Sequence, residues 1–149
     1  MGSVGSASGY AGDISADRAW KILNDDPTAQ LVDVRTTAEW SFVGMPDLSG
    51  LGREVHTVEW QVFPQMSPNP DFVRQVGERL RNSGAGTETP VLFLCRSGGR
   101  SRAAAMAMTA AGFSCALNVA GGFEGDVDAE GHRGMTGGWK AAKLPWRQS

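Results

Sequence analysis

The chain has little of what metal sites and disulfide scaffolds are built from. Its 149 residues hold two cysteines and two histidines. No C-x-x-C pair and no His/Cys cluster occurs, which argues against a zinc site. No metal or cofactor is expected. An excess of one charge is also missing: 14 Lys and Arg stand against 16 Asp and Glu, a net charge of −2. Without a broad basic surface, general nucleic-acid binding is not expected, so any anion site must be local. No apolar run approaches the length of a membrane span. The start, "MGSVGSASGYAG", lacks the basic segment and apolar core of a secretory signal. Its Gly and Ser content predicts a flexible tail over 1–12, followed by one domain over 13–149. A reducing cytoplasm is the expected setting. A domain of this size buries well over half of its unfolded surface without needing disulfides.

What is present reads as alternating strands and helices. Ser15 caps a helix over 16–23, with Asp17 favourable in its first turn. "AQLVDV" (29–34) suits a buried strand. Thr36 and Glu39 have capping-box spacing before the short helix "TAEWSF". "MPDLSGLG" (45–52) is rich in breakers and reads as a loop, "EVHTVEW" (54–60) as a strand, and "PQMSPNP" as another loop. Asn69 then Pro70 predicts a cap followed by proline at the first helical position. Phe72, Val73, Val76 and Leu80 share one face of that helix. "VLFL" (91–94) is the strongest strand, 101–111 is helical and closed by Gly112, and "CALNV" (115–119) is a further strand. "GGWKAAKLPW" predicts a last helical turn lying over the body. This order implies an α/β fold with a parallel sheet and helices on both faces. Sites in such sheets lie beyond the carboxyl ends of the strands. Arg35, Cys95 and Gly121 all lie just past a strand end and are expected to converge there.

The stretch "CRSGGRS" (95–101) carries the chemistry. It places Cys95 between a strand and a helix N-terminus, where free amides and the helix dipole favour an anion. Gly98 and Gly99 let the backbone curl into an anion nest, and Arg96 and Arg100 add positive charge. Thiols in such settings ionise at lower pH than usual. Cys95 is therefore expected to be a thiolate, open to solvent and nucleophilic without a histidine base. The plainer reading, a small buried residue at a strand end, leaves the flanking arginines and the glycines without a purpose.

"VDVR" (32–35), "EWSFVG" (39–44), "VLFLCRSGGRSRAAA" (91–105) and "NVAGGFEGD" (118–126) resemble the rhodanese family of sulfurtransferases. The similarity runs over about 13–146. The resemblance implies a single-domain thiosulfate sulfurtransferase with a five-stranded parallel sheet flanked by helices. It implies that Cys95 carries sulfur as a persulfide, and that Arg96, Ser97, Gly98, Gly99, Arg100 and Ser101 cradle the substrate. The implied partners are a small anionic sulfur donor and a thiol, cyanide or protein acceptor. It also implies that Asp33 and Arg35 are structural. Two departures bear on substrate access. No histidine follows Glu39 where many members have G-H-I, and Phe123 stands where a tryptophan usually follows the late Gly-Gly.

Two alternatives bear on the loop. A cysteine phosphatase needs Cys-x5-Arg for its larger oxyanion, whereas Cys95 to Arg100 is Cys-x4-Arg. Arg100 has a second option, capping the helix through a carboxylate, and Arg102 reads as a surface charge. A persulfide carrier serving one protein partner would favour exposed aromatics, with Trp60, Phe63 and Phe123 as candidates. Cys115 starts a strand that would place it at the opposite end of the sheet from Cys95. At ~3.3 Å per residue that gap exceeds disulfide reach, so a structural thiol is expected.

Overall fold

The computed structural model describes residues 9–62, 65, 67–125, 129 and 138–148. The chain begins with β1 (Gly12–Ile14), α1 (Ala16–Asp25), β2 (Gln30–Asp33), α2 (Thr37–Phe42), β3 (Met45–Pro46) and β4 (His56–Thr57). It continues through β5 (Gln61–Val62), β6 (Ser67–Pro68), α3 (Phe72–Asn82) and β7 (Val91–Leu94). It ends with α4 (Gly99–Ala110), β8 (Ala116–Val119), α5 (Gly138–Ala141) and β9 (Trp146–Arg147). Five strands form one parallel sheet in the order β1-β8-β7-β2-β4. The fold is the expected α/β sheet with helices on both faces. No helix among the described residues is long and apolar enough to cross a membrane.

Strand alternation sorts the core into two layers. Val91, Phe93 and Cys95 face α3 and α4, packing with Phe72, Val76, Leu80, Ala104, Ala105 and Met108. Leu92 and Leu94 face the other way, toward Ala19 and Leu23 of α1 and Trp139 of α5. All four residues of β7 are buried, as a central parallel strand requires. The first two helices start where their caps predict. Ser15 Oγ accepts from the Arg18 amide at 3.1 Å, and Thr36 and Glu39 form a complete capping box.

Several local expectations are corrected. Residues 1–8 of the expected tail lie outside the described residues; within the remainder, Gly12 opens β1 and Tyr10 is buried. Gly and Asp in a three-residue edge strand gave no apolar signal. The strand over 54–60 shrinks to His56–Thr57, because only these residues lie in register with β2. The two expected loops each contain a short strand: β3 pairs with β9, and β5 with β6. Asn69 is not the helix cap; its Oδ1 accepts from the Asp71 amide at 3.1 Å in a turn, and α3 starts at Phe72. Val73 is exposed rather than core. The helix after the Cys95 loop starts at Gly99, two residues early, since Gly98 at φ +116° supplies the turn.

Candidate active site

Cys95 follows β7 directly and is 1% exposed. Its Sγ accepts a hydrogen bond from the Gly98 amide at 3.1 Å, and Ser101 Oγ lies 3.2 Å away. Gly98 turns its amide inward by adopting a left-handed backbone at the N-terminus of α4, a conformation that costs glycine nothing. The glycine turn therefore faces the sulfur, and two donors meet it at a helix N-terminus. Solvent exposure of the thiol, expected from the sequence, is not found. The sulfur lies on the core side of β7 and is covered in this conformation.

A second turn fixes the start of the loop. The Phe123 amide donates to the Cys95 carbonyl at 2.8 Å, and the Glu124 amide to that of Arg96 at 3.0 Å. Gly122 sits at φ +60°, where an added Cβ would lie 2.5 Å from the Cys95 carbonyl oxygen. Only glycine fits there. Arg35, Cys95 and Gly121 thus gather at one edge: the Val34 amide donates to Leu94, and the turn after β8 grips the end of β7.

A family model described as the STR4 middle domain matches residues 11–149. The chain belongs to the STR4 middle-domain family. The chain is 33% identical over 134 residues to protein RC0915 of Rickettsia conorii, covering 90% of this chain and 95% of that one. It is 29% identical over 132 residues to "Rhodanese-like domain-containing protein 4, chloroplastic" of Arabidopsis thaliana, covering 89% of this chain and 25% of that protein. The crystal structure of Rv0390 from M. tuberculosis is similar with a TM-score of 0.85 and 53% identity, covering 94% and 99% of the two chains. The homodimeric polysulfide-sulfur transferase of Wolinella succinogenes shares the fold at 20% identity and a TM-score of 0.57, with 100% and 93% covered. The fold is rhodanese-like.

The other residues expected at the site divide into two groups. Arg96 and Gly99 are exposed and Ser97 is half-buried, and none of the three bonds to the sulfur. Arg96 makes no ion pair among the described residues. Arg100 forks onto Glu39, with Nη1 at 2.8 Å and Nη2 at 3.0 Å from the two carboxylate oxygens. This is the carboxylate pairing weighed from the sequence. Burial opposes the Arg100 charge, but Glu39 outweighs it and raises the Arg100 pKa, with smaller help from Cys95 and Asp33. Arg102 is exposed. Asp33 and Arg35 form a fully buried pair at 2.7 Å, and Arg35 also donates to the Gly44 carbonyl.

None of the aromatic docking candidates among the described residues is free. Phe123 is fully buried, with the Arg35 guanidinium 4.3 Å above its ring and Trp146 edge-on at 6.0 Å. Trp60 packs against the core and meets Phe72 edge-on at 4.9 Å. Phe63 and His132 lie outside the described residues. His56 is on β4, bonded to Gln30. Cys115 adjoins the far end of β7, its carbonyl accepting from the Val91 amide. That end is roughly 13 Å from Cys95 by the strand rise, and both thiols are free. Burial, then Asp26, pushes the Cys115 thiol up. The segment 138–148 packs on the Gly121–Phe123 turn: Trp139 is fully buried and donates to the Pro145 carbonyl at 2.7 Å.

Sequence reasoning missed Asn118, Asp13 and Tyr10. Ser101 Oγ is 2.5 Å from Asn118 Oδ1, and Asn118 Nδ2 donates to Asp13 Oδ1. The available signal was an asparagine at an inward position of an apolar strand.

Proposed function

We propose that this protein is a sulfurtransferase that works through a Cys95 persulfide. The Cys95 thiolate attacks the outer sulfur of a donor such as thiosulfate. A new S–S bond forms to Sγ, the donor's S–S bond breaks, and sulfite leaves with the electron pair. Cyanide or a thiolate then attacks the outer sulfur and forms thiocyanate or a new persulfide. The Sγ–S pair returns to Cys95. The observation that carries this reading is the sulfur itself, met by the Gly98 amide and the Ser101 hydroxyl at the N-terminus of α4. Arg96, exposed on the loop, draws the donor dianion. The amides of Ser97 and Gly99 complete the cradle as the loop opens to admit it. Arg100 holds the start of α4 against α2 through Glu39 and adds its charge from there. A free thiol of this kind suits the reducing cytoplasm.

A second reading, a persulfide carrier for a protein acceptor, draws on one observation. Phe42, at the end of α2, is 81% exposed, and Glu39 of the same helix holds Arg100. Steady-state kinetics with thiosulfate and cyanide test both. Parallel double-reciprocal lines, the mark of ping-pong exchange, and loss of turnover in Cys95→Ser are expected. Intersecting lines, or turnover retained in Cys95→Ser, would contradict the covalent route. Full sulfur loading with negligible cyanide turnover would favour the carrier.

A further inference from the structure

Ser101 Oγ stands between two acceptors and has one proton to give. It lies 3.2 Å from Cys95 Sγ and 2.5 Å from Asn118 Oδ1. Which of them receives the proton is decided further along the network. Asn118 Nδ2 donates to Asp13 Oδ1 at 2.9 Å, and the Tyr10 hydroxyl donates to the same oxygen at 2.8 Å. A carboxylate only accepts. The Asn118 amide group must therefore face Asp13, which turns its carbonyl toward Ser101. That carbonyl also only accepts. While Cys95 carries its own proton, the Ser101 hydroxyl can satisfy Asn118, and the thiol can donate to the Ser101 lone pair. Ser101, Asn118 and Tyr10 are all buried.

We propose that Asn118 is a positioning residue that keeps the Ser101 proton off the Cys95 sulfur until that sulfur becomes an anion. On ionisation the thiol proton leaves to solvent, the Ser101 hydroxyl turns to Sγ, and Asn118 Oδ1 loses its donor. A buried carbonyl without a donor is costly, so the thiolate forms less readily than it would with Ser101 unopposed. The inference rests on Cys95 being the nucleophile of the proposed function. There it gives Ser101 a use in the second half-reaction: its hydrogen bond to Sγ strengthens as the outer sulfur leaves and Sγ takes back the electron pair. A bond stronger in the transition state than in the ground state accelerates that step. The charged groups around the sulfur are Arg96 on its own loop, Arg100 on α4, Glu39 on α2, Asp33 at the end of β2 and Arg35 just past it, and Asp13 on β1. Arg102 lies near Tyr10. None of them is altered in the test.

The test follows thiolate absorbance in the far ultraviolet against pH, in the full chain carrying Cys115→Ser so that one thiol is read. Asn118→Ala should lower the Cys95 midpoint by about one pH unit, and Ser101→Ala should raise it by about as much. In the Ser101→Ala background, Asn118→Ala should shift nothing. Asn118→Leu, closer in volume, should reproduce the downward shift if alanine weakens the strand. A downward shift that persists without Ser101 would overturn the proposal. So would an unmoved midpoint in either Asn118 variant with a wild-type unfolding curve. The readout is ionisation, so sulfur transfer could fail while these shifts hold; that result would remove the functional reading and leave the network intact.

Discussion

At the scale of single residues, the Arg100–Glu39 pair is the most consequential contact outside the sulfur's own bonds. The two residues stand 61 positions apart and join the active loop to α2. Burial pushes the Glu39 carboxyl up, but the hydrogen bonds and charge of Arg100, together with the hydrogen bonds from Thr36, outweigh it and hold the carboxyl below its ordinary value of 4.5. A carboxyl whose pKa falls on folding stabilises the fold fully above its unfolded value, and that stability is lost as pH drops through the folded value. Stability measured by urea unfolding should therefore decline on acidification below about pH 5, and Glu39→Gln should flatten the slope. An unchanged slope in Glu39→Gln would show that the pair does not couple to folding. The pair also explains why sequence alone could not decide the role of Arg100. The Cys-x4-Arg spacing brings the guanidinium to the loop, but its direction depends on a carboxylate on another helix. The same limit hid the Asn118 network, whose members come from β1 and the residues just before it, α4 and β8.

At the scale of elements, Gly122 in the turn after β8 and Gly99 at the start of α4 make a sharp contrast. Gly122 sits at φ +60° with the Cys95 and Arg96 backbone 2.5–2.6 Å from where a Cβ would lie. Backbone atoms of the segment just past β7 cannot yield, so Gly122→Ala should destabilise the fold by about 2 kcal/mol or more. Gly99 has open space around its position and no left-handed backbone. Gly99→Ala should therefore be neutral or mildly stabilising to the fold, by up to about 1 kcal/mol. Thermal or urea unfolding of the two variants checks this, and equal losses would mean the turn does not hold the loop as described. Elements with a strong local signal were legible: β7 as an apolar run, and α1 and α2 through Ser15 and the Thr36–Glu39 box. Elements that exist only through distant pairing were not. β3 needs β9, about a hundred residues away in sequence, and β1 needs the edge of β8. Proline at 70 pointed to a helix start, but Asn69 used its side chain to close a turn first.

At the scale of the whole molecule, the parallel sheet sets the site. Parallel strands bring their carboxyl ends to one edge, so the segments after β2, β7 and β8 meet without any motif specifying it. The last described residues reinforce that edge from outside. Lys140 sits 4.2 Å over the Trp146 ring and donates to the Val43 carbonyl, tying α5 and β9 to the region after α2. The molecule carries a net charge of only −2, so in the proposed function the local charge of Arg96, not an overall field, is assigned the task of drawing an anionic donor. Mass spectrometry of the intact protein after exposure to thiosulfate addresses the central chemistry directly. Wild type should gain the mass of one sulfur, removed again by cyanide, and Cys95→Ser should gain nothing. A protein that gains no sulfur, or one that gains it equally in Cys95→Ser, would contradict the persulfide at Cys95.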